Sequence, residues 1–497
     1  MKLSAIIQGS GARGDLAGDP EVSRVTGDSR EVGPGAVFFA LPGAQRDGHD
    51  FVDEAARRGA VAVVAERPVP SGGAALLLAP SARRAMAIAA ANFHGRPGDA
   101  LLLAGVTGTN GKTTVAWLVE ACARAAGVPA ALLGTVLHRW PGGERRATHT
   151  TPESTAIQAM LAEARHAGAR VAILEASSHA LAQERLSGMR FRAAGFTNLT
   201  RDHLDYHGDV ERYFAAKRRL FVEHLAPDGA AVVNARDPWG ARLADQLGPG
   251  RRVGRFGGRT DDELRVEEVV VGLSGIAATV HTPRGTLAFR SPLVGAHNLE
   301  NLLCAAGLAL ALDLPPAAVE RGLTESIGAP GRLERVAAGG INVFVDYAHT
   351  DDALGRVLEA LRALGPRRIV CVFGCGGDRD RGKRPMMGEA AARGADLVIV
   401  TSDNPRSEDP LAIIGEVVPG LERAGLPRLS ASQLALDARG FAVEPDRRSA
   451  IRLAVAAARE GDAVLVAGKG HEQTQTIGRE QLPFSDVDEA RRALGIA

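Results

Sequence analysis

The sequence is poor in several features that mark particular classes of protein. It has 4 cysteines and 4% aromatic residues among 497 residues, and its formal net charge is +1. Without an excess of positive charge or aromatic stacking surfaces, we expect no nucleic-acid partner. No Cys-x-x-Cys pair occurs, so we expect reduced, mostly buried thiols, and a metal pair at Cys371 and Cys375 is disfavoured. The cysteines are Cys122, Cys304, Cys371 and Cys375.

Long hydrophobic runs are also missing. No apolar run approaches the roughly 20 residues that span a membrane, and the apolar part of residues 1–8 is too short for a signal peptide. The hydrophobic fraction of 45% and the charged fraction of 24% suit a globular protein. We therefore expect a cytoplasmic protein that inserts into no membrane. We also expect a monomer, a prediction to which composition contributes nothing.

Three sections follow one another along the chain, as the length also suggests. Breaks rich in glycine and proline at 95–98 and 328–331 divide the chain into 1–98, 99–330 and 331–497. Apolar runs alternate with helical patterns in the last two sections, which indicates parallel sheets covered by helices. We predict an α/β fold with a small N-terminal domain, a central P-loop ATPase-like sheet and a C-terminal Rossmann-like sheet. The predicted strands are 36–40, 61–64, 74–78, 101–104, 171–175, 193–196, 341–345, 369–373, 397–400 and 463–466; the predicted helices are 52–58, 82–93, 115–126, 209–224, 353–364 and 388–393.

A glycine-rich segment at 105–114 lies between a predicted strand and a predicted helix. This layout is typical of a phosphate-binding loop, in which backbone N–H groups and the helix N-terminus face the anion. Lys112 is placed to reach the β and γ phosphates of a nucleotide, and Thr113 to hold Mg²⁺. The common pattern G-x-x-x-x-G-K-[ST] requires glycine at position 106, where this chain has Val106. The rest of the segment still predicts a nucleotide site.

Two further polar groups follow strands of the central section. Glu175 ends an apolar run, and an acid there either holds the Mg²⁺ of the nucleotide or caps a following helix. His203, Asp205 and His207 form a dense cluster after the next apolar run. Histidine and carboxylate are both metal ligands, and spacing alone leaves a metal role and a structural role equally open.

Lys217 has an unusual position for a lysine. Tyr213 and Phe214 precede it by four and three residues, and Leu220 and Phe221 follow it by three and four. Residues at these spacings share one face of a helix, so Lys217 belongs to the apolar stripe. Its amine either extends past the stripe to water or is desolvated with a lowered pKa. A desolvated, neutral amine can react with carbon dioxide to form a carbamate, an oxygen ligand for a second Mg²⁺.

In the C-terminal section each predicted strand ends in a polar cluster. Open α/β sheets bind ligands at the carboxyl ends of their strands, so four such clusters predict a binding edge. The clusters lie at 346–349, 374–380, 402–406 and 468–472.

These motifs together resemble those of the Mur ligases, which build the peptide of bacterial peptidoglycan. The resemblance covers nearly the whole chain and follows the three-section order. The motif Asp403-Asn404-Pro405-Arg406 resembles that of members adding meso-diaminopimelate, whereas lysine-adding members differ there. The other segments that carry the resemblance are 108–114, 198–207, Lys217, 295–301, 330–332 and 346–350.

The resemblance implies ATP-dependent addition of meso-2,6-diaminopimelate to UDP-N-acetylmuramoyl-L-alanyl-D-glutamate, with two Mg²⁺ ions and a carbamate on Lys217. It implies nucleotide contacts at Gly108, Thr109, Asn110, Gly111, Lys112, Thr113, Thr114, Asn298, Arg332 and Asp346. Metal ligands are implied at Thr113, Glu175, His203 and Lys217, and catalytic roles at Lys112, His203 and Lys217. Uridine contacts are implied at Ser29 and Gln45, and muramoyl-dipeptide contacts at Thr150, Thr151, Ser177, Gln183 and Arg185. The implied diaminopimelate contacts are Arg379, Asp403, Asn404, Pro405, Arg406, Gly468 and Glu472.

Three alternatives remain open on the sequence. A lysine-adding member of the same family is the nearest. A folylpolyglutamate-type ligase has a similar loop but lacks the context of residues 403–406 and a uridine domain of this kind. A phosphate-loop protein that acts as a nucleotide-gated binding module belongs to a different class.

Overall fold

In a computed structural model, the chain forms two compact units, each with many internal contacts. The first unit contains the N-terminal section and most of the central one, and the second contains the C-terminal section. The first unit comprises Met1–Arg265, His281–Leu287 and Glu300–Gly322, and the second Val266–Val280, Ala288–Leu299 and Leu323–Ala497. The structure describes residues 1–16, 18–43, 46–257, 262–434 and 439–496.

The N-terminal section forms a five-stranded sheet flanked by helices. Its elements are α1 (Leu3–Ile7), β1 (Arg13–Gly14), β2 (Arg24–Thr26), β3 (Ala36–Phe39), α2 (Val52–Arg57), β4 (Ala60–Ala65), β5 (Ala75–Leu78) and α3 (Ala82–Phe93), with 3₁₀ turns at Ser29–Glu31, Gly48–Phe51 and Pro97–Asp99. The strand order is β1-β5-β4-β3-β2, and only β1 runs antiparallel to its neighbour. Helix α3 begins where the Ser81 side chain accepts a hydrogen bond from the Arg84 N–H.

The central section is built on an eight-stranded sheet. Its elements are β6 (Leu102–Thr107), α4 (Lys112–Ala125), β7 (Ala130–Leu133), β8 (Leu137–Trp140), β9 (Gly143–Arg146), α5 (Ser154–His166), β10 (Val171–Glu175), α6 (Ser178–Ala182), β11 (Phe191–Phe196), α7 (Leu204–His207), α8 (Val210–Arg219), β12 (Leu225–Asn234), α9 (Pro238–Leu247) and β13 (Arg252–Phe256). A π-helical turn, Leu220–His224, follows α8.

Strand β6 lies in the middle of this sheet, whose order is β13-β12-β11-β6-β10-β7-β8-β9. Strands β6, β10 and β11 are parallel, so their carboxyl ends meet at one edge. Both faces of β10 are buried, as its continuous apolar run predicts. The phosphate loop and Glu175 therefore come together because they end neighbouring parallel strands.

A three-stranded sheet and two helices complete the central section. They are β14 (Arg265–Gly272), β15 (Gly275–Thr282), β16 (Gly285–Ser291), α10 (Ala296–Ala311) and α11 (Pro316–Glu325), with strand order β14-β15-β16. The sequence did not predict this sheet, because β15 and β16 bury only alternate residues and β14 contains no buried residue.

The C-terminal section forms a six-stranded sheet and a separate hairpin. Its elements are β17 (Glu334–Ala338), β18 (Ile341–Asp346), α12 (Asp351–Arg362), β19 (Ile369–Phe373), α13 (Lys383–Gly394), β20 (Leu397–Val400), α14 (Pro410–Arg423), α15 (Ala431–Leu434), β21 (Gly440–Val443), α16 (Arg447–Ala457), β22 (Ala463–Ala467), β23 (Thr474–Ile477), β24 (Glu480–Pro483) and α17 (Asp486–Leu494). The order is β17-β18-β22-β19-β20-β21, and only β17 is antiparallel. Buried residues pack on both faces of this sheet.

The predicted fold class is confirmed: the protein is α/β, with largely parallel sheets in all three sections. The four strands predicted in the C-terminal section are β18, β19, β20 and β22. Strands β17 and β21 were not predicted, since they lie at the edges of the sheet and their apolar runs are short. Within the described residues, no helix has the length and apolar character needed to cross a membrane.

Candidate active site

The phosphate loop is a tight turn between β6 and α4. Gly108 and Gly111 have φ angles of 151° and 87°, which favour glycine. A Cβ at Gly108 would overlap the Thr197 hydroxyl, and one at Gly111 would overlap the Asn301 side chain. Val106 is a buried residue inside the central strand, before the turn begins. The loop therefore starts at Gly108, which explains why position 106 needs no glycine.

The segment after β11 supports the phosphate loop. The Thr109 N–H donates to the Asn198 carbonyl at 2.9 Å, and the Asn110 N–H donates to Asn198 Oδ1 at 3.0 Å. The Thr109 hydroxyl lies 3.2 Å from the Tyr213 hydroxyl. The Lys112 Nζ donates to the carbonyls of Gly108 and Thr109, each at 2.8 Å. The Lys112 ammonium is thus held against the backbone of the loop.

Glu175 is the centre of a hydrogen-bond network next to the loop. Its carboxylate is buried and accepts hydrogen bonds from the Thr113 hydroxyl at 2.9 Å, the Thr135 N–H at 2.7 Å and the Thr135 hydroxyl at 2.9 Å. The Thr135 hydroxyl also contacts that of Thr150 at 3.2 Å. Glu175 caps no helix, since the hydroxyl of Ser177 caps α6. The alternative interpretation of Glu175 as a capping acid is therefore wrong.

The residues expected to contact the muramoyl dipeptide form one connected group. The Thr151 hydroxyl donates to the Glu175 carbonyl at 2.6 Å and contacts Ser177 Oγ at 3.1 Å. Arg185 donates to the Thr151 carbonyl at 2.6 Å and to Gln183 Oε1 at 2.8 Å. These side chains are thereby held beside the Glu175 network.

Lys217 is buried, with 1% of its surface exposed. Its Nζ donates to the Gly108 carbonyl at 2.7 Å and lies 4.4 Å from the centroid of the Tyr213 ring. Among the described residues no carboxylate lies within ion-pair distance of it. Burial, together with the positive charge of Lys112, holds the pKa of the Lys217 amine well below its ordinary value, although Asp202 opposes the shift. The amine is desolvated, so the interpretation that it extends to water is wrong.

The histidine cluster divides into two kinds of residue. His203 has a φ of 51° and a half-exposed side chain, and its ring lies 6.1 Å from that of Tyr213. His207 is buried against the Ser178 hydroxyl at 3.0 Å, and burial lowers its pKa to about 4. Asp205 is exposed. His203, His207 and Lys217 therefore all lie around Tyr213, and the two histidines differ in burial, since His207 is buried and His203 is half-exposed.

Of the four metal ligands that the sequence implied, only Glu175 and His203 are of the types His, Cys, Asp or Glu, and the set stays a prediction. Where the structure is described, no group of three or more His, Cys, Asp or Glu side chains is arranged to hold a metal ion. All four cysteines are buried and free, so the expected thiol state is consistent with the fold.

In the second unit, the residues expected near the nucleotide have distinct surroundings. Asp346 ends β18, and its carboxylate accepts hydrogen bonds from the N–H groups of Leu333 and Ala348, each at 2.8 Å. Burial raises the pKa of the Asp346 carboxyl, against the opposite effect of Arg332. The Arg332 guanidinium lies 5.5 Å from the centroid of the Tyr347 ring, and its Nε is buried without a hydrogen-bond partner. The Asn298 side chain donates to the Val294 carbonyl at 2.8 Å.

The carboxyl ends of β20 and β22 bring Asp403, Asn404 and Glu472 together. The Asn404 Nδ2 donates to Glu472 Oε2 at 2.9 Å. Lys469 contacts all three of these side chains. Gly468 has a φ of 118°, and its N–H donates to the Asp346 carbonyl at 3.0 Å. The predicted binding edge is thus a buried polar cluster at the carboxyl ends of β20 and β22, which lie on either side of β19.

Arg406 and Arg379 lie beside this cluster in loops. Arg406 has a φ of 52°, and its Nη1 donates to the Gly377 carbonyl at 2.7 Å. Asn404 and Pro405 are buried, and the Gly377 N–H donates to the Asn404 carbonyl at 2.9 Å. Arg379 is exposed. Most of the Arg406 guanidinium therefore remains available to a ligand.

The expected uridine contacts are the least defined. Ser29 begins a 3₁₀ turn that the Asp28 side chain caps, after β2 of the N-terminal sheet. Gln45 lies outside the described residues.

Sequence reasoning missed three residues of these sites. Thr135 follows the short apolar run of β7, a strand that was not predicted. Its N–H and its hydroxyl each donate a hydrogen bond to the Glu175 carboxylate. His179 packs against His203 with ring centroids 4.8 Å apart. Lys469 lies in a polar cluster that was predicted, but only its burial shows that it differs from a surface lysine.

Known proteins resemble the chain in each of its three sections. Family models described as the Mur ligase family catalytic domain, the Mur ligase middle domain and the Mur ligase glutamate ligase domain match residues 21–94, 106–309 and 331–470. A UDP-N-acetylmuramoyl-L-alanyl-D-glutamate--2,6-diaminopimelate ligase of Geobacter metallireducens is 49% identical, covering 99% of this chain and 97% of its own. A protein of the same name from Geobacter sulfurreducens is 47% identical, covering 98% of this chain and 97% of its own.

A solved structure gives the same result at the level of the fold. It is titled as a UDP-N-acetylmuramoyl-L-alanyl-D-glutamate--2,6-diaminopimelate ligase, with a TM-score of 0.72 and 34% identity over 96% of this chain and 95% of its own. Residues 108–114 of the phosphate loop, Lys217 and residues 403–406 all lie within the matched regions. The chain therefore belongs to the Mur ligase family, whose members are ATP-dependent ligases.

Proposed function

We propose that the protein adds meso-2,6-diaminopimelate to UDP-N-acetylmuramoyl-L-alanyl-D-glutamate at the expense of ATP, in cytoplasmic synthesis of peptidoglycan precursors. The observation that carries the proposal is the buried Lys217 amine, bonded to the Gly108 carbonyl of a phosphate loop. The names of the 49% and 47% identical relatives support the same substrates. We assign residues 1–98 to the uridine nucleotide, 99–330 to ATP and ligation, and 331–497 to the amino acid.

The residues around the phosphate loop fit ATP and magnesium. Lys112 supplies a positive charge for phosphate oxygens, and the loop N–H groups supply donors. The bonded pair of Thr113 and Glu175 offers oxygen atoms, which Mg²⁺ prefers, for one ion. His203 and a carbamate on Lys217 would hold the second. Bound magnesium would neutralise negative charge on the transferring phosphoryl group.

The surroundings of Lys217 suit carbamate formation. A neutral amine nitrogen attacks the carbon of carbon dioxide and loses a proton, and only the neutral amine has the free electron pair. Burial and Lys112 lower the pKa of Lys217, which favours that neutral form. The anionic product would be stabilised by the charge of Lys112.

The reaction divides into two steps. The γ-carboxylate of the D-glutamyl residue attacks the γ-phosphorus of ATP, and ADP leaves to give an acyl phosphate. The amine of diaminopimelate then attacks the acyl carbon, phosphate leaves and the nitrogen loses a proton. Lys112 stabilises charge on the transferred group, so positioning and electrostatics supply most of the catalysis.

The remaining assignments follow the chemistry of each side chain. The hydroxyl and amide groups near Arg185 suit the muramoyl dipeptide, and the guanidinium suits one of its carboxylates. Asp346 suits the hydroxyls of the ATP ribose, with Asn298 and Arg332 near the nucleotide. The full dipeptide set is Thr150, Thr151, Ser177, Gln183 and Arg185, and the uridine set is Ser29 and Gln45.

The polar edge of the C-terminal sheet suits the far end of diaminopimelate, which carries an ammonium and a carboxylate. Arg406 offers a planar fork for the carboxylate. Asp403 and Glu472 offer acceptors for ammonium groups, and Arg379, Asn404, Pro405 and Gly468 shape the site. L-lysine lacks this second carboxylate, so its binding would leave the Arg406 guanidinium unpaired. The site should therefore reject L-lysine strongly.

One experiment separates this proposal from its alternatives. Purified protein receives UDP-muramoyl dipeptide, ATP and either meso-diaminopimelate or L-lysine, and the product is weighed by mass spectrometry. The proposal expects the diaminopimelate adduct, with sustained ADP formation only when UDP-muramoyl dipeptide and diaminopimelate are both present. A preferred lysine adduct would indicate the lysine-adding counterpart. In a parallel reaction with ATP, folate and L-glutamate, a glutamate adduct on folate would indicate a folylpolyglutamate-type ligase. ATP hydrolysis that ignores both substrates would favour a nucleotide-gated binding module.

A further inference from the structure

Lys469 is a buried lysine at the polar edge of the C-terminal sheet. It follows β22 by two residues, after Gly468 turns the chain with a φ of 118°. Its side chain has no exposed surface. A lysine side chain is rarely buried completely unless charged or polar protein groups take the place of water around its ammonium. The groups around the Lys469 ammonium therefore explain its position.

Three side chains surround that ammonium. Nζ donates to Asn404 Oδ1 at 2.9 Å. It also lies 3.4 Å from Asp403 Oδ1 and 3.3 Å from Glu472 Oε2, as ion pairs. All three of these partners belong to the proposed diaminopimelate site. Lys469 thus lies behind the ligand-binding groups and connects them.

The contact with Lys469 determines the orientation of the Asn404 amide. Asn404 Oδ1 accepts one hydrogen bond from Lys469 and another from the Thr476 N–H, both at 2.9 Å. Reversing the amide would place its NH₂ against these two donors. The Nδ2 is consequently directed to Glu472 Oε2, at 2.9 Å. Lys469 therefore fixes how Asn404 and Glu472 face a ligand.

Lys469 also sets the charge of the cluster. Asp403 and Glu472 carry two formal negative charges, and the ammonium leaves one. With the positive Arg406 beside them, these four groups sum to zero, which matches an amino-acid end with one ammonium and one carboxylate. Without Lys469 the sum is −1, which matches the bare ammonium of L-lysine.

We propose that Lys469 is a positioning residue that sets the specificity of the site for an amino acid ending in a zwitterion. The inference rests on the proposed function, because it takes diaminopimelate as the substrate. Lys469 touches no substrate in this proposal; it acts through Asn404 and the two carboxylates. The charge balance and the amide orientation are its two means of action.

The test compares two variants by steady-state kinetics. Lys469→Gln removes the charge and keeps an N–H donor, whereas Lys469→Met removes both. We expect the KM for diaminopimelate to rise at least tenfold in both variants. The ratio of kcat/KM for diaminopimelate over L-lysine should fall at least tenfold, while the KM values for ATP and UDP-muramoyl dipeptide stay within twofold.

Arg368→Met is the matched control. Arg368 is a buried cation paired with Asp462, but it lies before β19, at the opposite edge of the same sheet. We expect a lower melting temperature with an unchanged KM for diaminopimelate.

Wild-type protein is assayed first, so that failure to form the diaminopimelate adduct refutes the proposed function and not the role of Lys469. With an active wild type, an unchanged specificity ratio in a folded Lys469 variant overturns the inference. A Lys469→Gln protein that does not fold overturns it as well, because the lysine would then be structural.

Discussion

Two lysines of this protein are equally buried and have opposite surroundings. Lys217, beside the phosphate loop, donates to the Gly108 carbonyl and lies near the positively charged Lys112. In the part of the chain that the structure describes, no carboxylate lies within ion-pair distance of its amine. Lys469, at the edge of the C-terminal sheet, lies between Asp403 and Glu472. Burial alone therefore does not determine what a lysine does.

The difference lies in the partners. A buried amine without a counter-ion is destabilised in its charged form, so its pKa falls and it becomes a nucleophile. A buried ammonium between carboxylates keeps its charge and organises the groups around it. The first arrangement suits chemistry, and the second suits recognition. Substitutions at and around these lysines test the comparison.

The largest expected effect is the loss of activity in Lys217→Ala. The proposed carbamate cannot form on alanine, and we expect kcat to fall by at least about 10³-fold. Added formate or acetate should restore part of the activity by supplying an oxygen ligand in the vacated space. Arg212→Ala, on the exposed face of the same helix, is the control and should retain activity. Full activity of Lys217→Ala without added carboxylate would refute the carbamate role.

A second prediction concerns another buried pair of the C-terminal section. Arg447 and Asp486 are fully buried and joined by two 2.7 Å hydrogen bonds. Asp486→Asn would remove the carboxylate that is hydrogen-bonded to the buried guanidinium, and should lower the free energy of unfolding by about 3–5 kcal/mol. Urea denaturation measures the change. Asp488→Asn, exposed on the same helix, should cost less than about 1 kcal/mol; equal effects would contradict the importance of pairing.

Replacing each of the two lysines by methionine should change the free energy of unfolding in opposite directions. Lys217→Met removes an amine whose charged form burial destabilises, and should raise the free energy of unfolding by about 1 kcal/mol. Lys469→Met leaves two carboxylates without their cation and should lower it by about 3 kcal/mol. Thermal and urea denaturation at neutral pH provide the comparison. Two changes of the same sign would show that the surroundings do not separate the lysines.

The smallest predicted effect is a loss of stability in mild acid. Burial lowers the pKa of His224 to about 4, whereas the unfolded chain titrates near 6.5. Between these values the unfolded state binds more protons, so the free energy of unfolding falls as the pH falls. From pH 7 to pH 6 the expected contribution of His224 to this loss is about 0.7 kcal/mol. His224→Gln should show a correspondingly flatter pH profile, and an unchanged profile would contradict the shift.

Much of the fold could be predicted from the sequence. Continuous apolar runs identified β10, β18, β19, β20 and β22, because a strand covered on both faces needs apolar residues at every position. Edge strands and the three-stranded sheet were missed, since their pairing depends on neighbours distant in sequence. The domain boundaries at 98 and 330 stay predictions.

The candidate site was predictable only in part. Motifs identified the phosphate loop, Glu175, Lys217 and the polar strand ends, because each has a local pattern. Spacing could not separate His203 from His207, which differ in burial and in their contacts. Thr135 has no local pattern, and its role depends on the parallel pairing of β7 with β10.

The sequence by itself determined that Lys217 belongs to an apolar stripe and that residues 403–406 follow a buried strand, since both depend on periodicity along a single element. Only the tertiary structure decided that the Lys217 amine is desolvated against the Gly108 carbonyl and that Lys469 lies between two carboxylates. The physical reason is that the charge state of a buried group depends on partners brought to it by other elements, and helical or strand periodicity carries no information about them.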